Sequence, residues 1–294
     1  MSDVRLGICL WNQAAEWAEL EAAARRVDEL GYEHLWTWDH LYAIVGDPYK
    51  SVFEGYATLG ALAKVTWSVR LGLFVGANTF RNPGLVAKSL TTLDHASGGR
   101  IIAGLGAAWH ELEHEAHGID FGSSPGERLR WLEESVGALR GLFAGETVTS
   151  PPGGRYEFRD LRLLPPPVQK PIPIMVGGSG EKRTLKLVAR HADACNFVGD
   201  TARVRHKLAV LHEHCAAEDR DPAAITVTHL APARVIAAGE PREGQGAATV
   251  EEHVGRYREL AEAGVQTAIA GLSDAAGPDS VARFAEVIAA FAPR

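Results

Sequence analysis

Cysteine is scarce: the 294 residues hold three, Cys9, Cys195 and Cys215, with no C-x-x-C spacing. Neither a disulfide framework nor a thiolate metal cluster is expected, and the three read as small, neutral, buried side chains. Excess basic charge is also missing. A formal net charge of -7 argues against nucleic acid or an anionic membrane as the main partner. Long hydrophobic runs are lacking too. The apolar stretch Val4 to Trp11 is too short for a signal or membrane segment, and Glu16, Glu19 and Glu21 follow soon after. A cytoplasmic, reducing setting is expected. Two nucleotide fingerprints are absent as well: a P-loop would need glycine where Glu181 stands, and Gly104-x-Gly106 lacks a third glycine at Trp109.

What is present is an alternation of strand-like and helix-like patterns. Strands are predicted at Val4 to Leu10, His34 to Trp38, Arg70 to Gly76, Ile101 to Gly104, Pro171 to Gly178, Ala192 to Gly199, Ile225 to Leu230 and Gln266 to Gly271. Helical spacing follows each, as in Ala14 to Leu30, Pro83 to Ala96 and Thr201 to Ala217. Eight βα units, with 46% hydrophobic residues, predict an α/β fold, a (β/α)8 TIM barrel built around one large core. The chain, 1–294, reads as a single domain with an insertion between strands 4 and 5, an excursion at about 119–170. Within it Pro125 to Phe143 reads as a helix, Gly153-Gly154 as a hairpin-like turn, and Pro165 to Pro167 as a surface connection. The last helix is predicted over Ser280 to Phe291.

One stretch supports two incompatible chemistries. His110-Glu111-Leu112-Glu113-His114 fits H-E-x-x-H, in which two imidazoles one helical turn apart hold zinc. That pattern needs a long helix and a third ligand downstream. Here it falls at the first turn after a glycine elbow, and His117 follows only three residues on. No metal is therefore expected, and the informative part of the stretch moves upstream, to Gly106 to Trp109.

Barrel active sites form at the C-terminal ends of the strands. Asp39 and His40 follow strand two, Asn78 to Arg81 strand three, Gly106 to His110 strand four and Gly177 to Gly180 strand five. These should converge on one mouth. Asp39 could instead cap the chain and His40 could be a packing histidine; Trp36 and Trp38 read as core or rim packing. GGSGEKRT (Gly177 to Thr184) carries a more physical argument. Glycines at a strand end let the backbone approach a ligand, and the helix that follows presents unpaired N–H groups to an anion such as phosphate.

TWDHL (Thr37 to Leu41), RLGLFVGANTFRNP (Arg70 to Pro83), LDHASGGRIIAGLGAAWHELEHEAHGIDF (Leu93 to Phe121) and PIPIMVGGSGEKRTLKLVARHADACNF (Pro171 to Phe197) cover about half the chain in barrel order. Together they resemble the luciferase-like monooxygenase superfamily, and within it the oxidoreductases that use the deazaflavin coenzyme F-420. The resemblance implies hydride transfer between F-420 and a small organic substrate, with reduced FMN as the alternative cofactor, and a homodimer. It implies a cis peptide at Phe74-Val75 behind the ring, Asp39 at the ring's pyrimidine edge, and His40 beside the redox centre in a proton role. Gly106, Ala107 and Ala108 would let the ring approach the elbow, and Gly177, Gly178, Ser179 and Gly180 would hold the phosphate. Asn78 would face the ring, and Trp109 with Trp38 the substrate. One departure stands out: the family's glucose-6-phosphate dehydrogenases carry Glu where this chain has Trp109. An apolar substrate, or one with an activated C=C or C=O, suits an indole better than a sugar phosphate does.

Overall fold

The computed structural model describes residues 4–272 and 278–291. Eight parallel strands close into a barrel: β1 (Arg5–Leu10), β2 (His34–Thr37), β3 (Arg70–Leu73), β4 (Ile101–Gly106), β5 (Ile174–Val176), β6 (Ala194–Phe197), β7 (Thr226–Pro232) and β8 (Thr267–Leu272). Each pairs with the next, and β1 pairs with β8 in register from Arg5↔Thr267 to Leu10↔Leu272, which closes the ring. The near-continuous apolar runs follow from this closure, since helices cover the outer face and side chains fill the inner one.

Trp36, Cys9, Ile102, Met175 and Ile269 pack inside the barrel. Glycine makes room for that indole. A Cβ on Gly72 would stand 2.3 Å from Trp36 Cζ3, and one on Gly104 would stand 2.0 Å from the Leu73 carbonyl oxygen. Both glycines are thus fixed by close approach rather than by turn geometry.

The ring helices are α1 (Trp17–Glu29), α2 (Gly55–Val65), α3 (Pro83–Ser97), α5 (Pro125–Phe143), α6 (Thr184–His191), α7 (Thr201–Ala217) and α8 (Val250–Glu262), with a short α4 (Glu111–His117) just after β4. Within 119–170, α5 packs between α3 and α6 and buries Trp131, Leu132, Val136 and Leu139, so it holds the ring position of the fourth helix. The remaining stretch carries one antiparallel bridge, Val148↔Leu161.

Several boundaries differ from the sequence expectation, and two of these concern helices near the barrel mouth and the end of the chain. The helix after β5, which the sequence spacing puts at Glu181 to His191, begins at Thr184, and Glu181 instead pairs with Lys207 at 2.5 Å and His206 at 3.0 Å. The last helix is two, α9 (Pro278–Arg283) and α10 (Ala285–Ala289): Phe284 N–H donates to Val281 O in a tighter turn, which buries the Phe284 ring against His253.

Candidate active site

A cavity of about 480 Å³ opens at the C-terminal ends of the strands. Trp38, Asp39, His40, Phe74, Val75, Gly106, Ala107, Ala108, Trp109 and Gly177 to Gly180 all line it. Of the residues to which the resemblance gives a role, all but Asn78 therefore meet here, while Thr79, Phe80, Arg81 and His110 stand outside the lining. Asn78 is buried outside the lining; its N–H donates to Gly106 O at 3.0 Å, and its side-chain Nδ2 has no hydrogen-bond partner among the described residues. Thr184, the last residue of the predicted loop, lines the cavity too, and Glu113, Asn196, Ile44, Leu129 and Leu230 do so without having been anticipated there.

The back wall is built from β3. The Phe74–Val75 peptide is cis, and the Val75 side chain lies where a Cβ on Gly106 or Gly177 would stand, 2.6 Å and 2.9 Å from Val75 Cγ2. Neither glycine could be a larger residue without moving valine. After Gly106 the chain turns through Ala107 and Ala108, and Ala108 adopts a left-handed conformation with φ 62°. A non-glycine residue there costs about 1–2 kcal/mol, held by its surroundings.

Asp39 is fully engaged. Its carboxylate takes both guanidinium nitrogens of Arg81, at 2.7 Å and 2.9 Å, and the Ala77 N–H at 2.8 Å. Gly55 leaves room for it, since a Cβ there would meet Asp39 Oδ1 at 2.9 Å. Arg81 also reaches Glu54 and lies over the Tyr56 ring. Burial of the Arg81 guanidinium opposes its charge, but Asp39 beside it more than offsets this and holds the group protonated. Burial, then the Asp39 charge, push the Tyr56 phenol up.

His40 faces a carboxylate that the H-E-x-x-H match had placed in the background. Its Nδ1 lies 3.0 Å and 3.1 Å from the two oxygens of Glu113, which is 1% exposed and also accepts the Leu41 N–H at 2.9 Å. Burial raises the Glu113 carboxyl, yet the hydrogen bond and charge of His40 and the Leu41 N–H together hold it below the ordinary value. His114, the second histidine of the motif, points elsewhere: Nε2 meets Thr79 Oγ1 at 2.7 Å and Nδ1 meets His110 O at 2.8 Å. The donor atoms within 4.8 Å of one another are those of His40, His110 and Glu113, so the two imidazoles of the sequence motif do not share a site. Trp109 stacks on His110 with centroids 5.2 Å apart, sits edge-on to His40 at 5.6 Å, and is 64% exposed at the rim.

Opposite in sequence, Gly177 N–H donates to Leu105 O at 2.8 Å and Gly178 has φ 94°, so the loop turns sharply off β5. No side chain caps α6, whose N-cap is Arg183. Its first N–H groups stand beside a glycine-rich backbone, an arrangement suited to an anion.

A family model described as luciferase-like monooxygenase matches residues 4–268. The chain is 33% identical over 172 residues to an F420-dependent glucose-6-phosphate dehydrogenase of Microbacterium testaceum, spanning 56% of this chain and 48% of that one. It is 27% identical over 218 residues to an F420-dependent hydroxymycolic acid dehydrogenase of Mycobacterium tuberculosis, spanning 74% and 59%. The fold is similar to that of an F420-dependent secondary alcohol dehydrogenase solved with an F420-acetone adduct, with a TM-score of 0.85 at 20% identity over 99% of this chain and 100% of that one. With the barrel, its strand-end cavity and a family match over nearly the whole chain in hand, this chain belongs to the luciferase-like monooxygenase family.

Proposed function

We propose that this protein is an oxidoreductase that transfers a hydride between coenzyme F-420 and a small organic substrate. The observation that carries it is a single cavity lined by both the His40–Glu113 pair and the Gly177–Gly180 loop. One part suits proton transfer and the other suits a phosphate. The names of the relatives support the choice of F-420 over FMN.

The residues present fit such a cofactor. Gly178 and the uncapped start of α6 would hold its phosphate, the Phe74–Val75 wall would back the ring, and the small side chains of Ala107 and Ala108 would leave the elbow open to it. The volume lies in the ordinary range of small-molecule sites. When bound, the deazaflavin supplies a carbon centre that exchanges a hydride with the substrate.

The chain's own residues handle the proton. Glu113 accepts from Nδ1–H and so fixes the tautomer of His40, leaving Nε2 free to take a proton from a substrate hydroxyl or, once protonated, to deliver one to a carbonyl. Asp39 positions rather than transfers a proton, because Arg81 holds both its oxygens. Trp109 places an indole, which has no titratable proton, at the rim, and favours an apolar substrate or an activated C=C or C=O. The family resemblance brings a homodimeric, cytoplasmic state into the proposal. Turnover tests it: anaerobic incubation with oxidised F-420 and alcohols, or reduced F-420 and enones or ketones, should change the deazaflavin absorbance. Activity only with reduced FMN and oxygen would sink it.

A further inference from the structure

A second chamber of about 900 Å³ adjoins the first and shares Trp38, Ile44 and Leu230 with it. Its walls are largely apolar. Trp11 packs on Trp38 with ring centroids 4.5 Å apart, and Val45 and Val198, 48% and 43% exposed, stand beside Pro232. Into this chamber comes one guanidinium, that of Arg256 on α8.

Arg256 is half-buried, and among the described residues no hydrogen bond or ion pair reaches it. Arg81, beside the first cavity, is by contrast paired with Asp39. The chamber's one carboxylate, Asp200, accepts the Arg203 N–H at 2.8 Å as the N-cap of α7. Burial lowers the nearby His229 and His253, hydrogen bonds to the Gly199 and Arg234 carbonyls partly oppose this, and the Arg256 charge lowers both further. An unpaired, partly desolvated cation in an apolar chamber is a site for an anion on an apolar body. The cofactor phosphate does not answer this need, since Gly177 to Gly180 line only the first cavity.

We propose that the second chamber binds an amphipathic carboxylate, its hydrocarbon part against Trp11, Val45 and Val198 and its carboxylate on Arg256. As a statement about the substrate it rests on the function proposed above; as a binding site it stands on the chamber alone.

Octanoate and the neutral octanamide test it by calorimetry, with Trp fluorescence as a second readout of occupancy beside Trp11 and Trp38. Octanoate should bind about tenfold or more tighter than octanamide. R256Q should abolish that margin and R256K should keep most of it, with thermal melts showing that both variants fold. Equal binding of the two ligands, or a preference that survives R256Q, overturns the inference. An F-420 titration on the same protein separates the two claims. F-420 binding without an Arg256-dependent preference overturns the chamber's assignment, whereas the preference without F-420 binding upholds the chamber and overturns the proposed function.

Discussion

His40 and Glu113 are 73 residues apart in sequence, yet His40 Nδ1 lies 3.0 Å from Glu113 Oε1 at the floor of the candidate active site. The carboxylate is also held by Leu41 N–H, so the ring of His40 and the backbone of the next residue fix its position together. E113Q keeps the size and an acceptor for Leu41 but removes the charge. The expected result is a fall in kcat on the order of 10- to 100-fold with KM and F-420 affinity nearly unchanged. Equal losses in cofactor affinity and folding stability would instead make Glu113 a structural residue only.

The Asp39–Arg81 pair is expected to matter for stability as well as for the shape of the site. Asp39 is 2% exposed, so R81M leaves a buried carboxylate with only the Ala77 N–H, and should cost about 3 kcal/mol in chemical denaturation. Removing both charges in D39L/R81M should recover much of that loss. A double variant no more stable than R81M contradicts the assignment of the cost to the unpaired charge.

Acid should destabilise the fold starting near the ordinary histidine value. Burial, with Arg70 and Arg5 nearby, pushes His34 down to about 3 from 6.5, and burial likewise lowers His114, His191, His229 and His253. The unfolded chain takes up these protons below about 6.5 while the folded chain does not, so stability is fully present above 6.5 and is lost as pH falls toward 3. Thermal melts at neutral pH and near the carboxylate range should show the decline, and H34Q should make it shallower. A Tm that is flat across this window would contradict the neutral, buried state of His34.

Val75 occupies the space beside Gly106 and Gly177, and this yields a rescue experiment. G106A brings a methyl to 2.6 Å from Val75 Cγ2 and should cost about 1–3 kcal/mol and weaken F-420 binding. V75A in the same chain should restore stability, since the two methyl groups removed open the needed space. Failure of the double variant to recover would show that Gly106 is required for its backbone rather than for its lack of a side chain.

The barrel was legible because its determinants are local: apolar runs a few residues long, helical spacing between them, and glycine or proline at the junctions. The strand ends then placed Asp39, His40 and the glycine loop at one mouth, and the family resemblance added Val75 to it; all of them line the cavity. What was not legible depends on pairing across sequence. Glu113 fell on an unspecified position of H-E-x-x-H, and nothing near it in the chain says that its carboxylate turns to His40. Arg81 was seen only as a loop residue, because its bidentate grip on Asp39 exists only once β2 and β3 lie side by side. The break at Phe284 was missed for a similar reason: helical spacing continues through it, and burial against His253 on another helix decides the turn.

The most direct measurement is an equilibrium fluorescence titration of the purified protein with F-420 and, separately, with FMN. F-420 should bind with a Kd on the order of 1 μM and FMN at least about 100-fold more weakly. Tight FMN binding with no response to F-420 would contradict the proposed function.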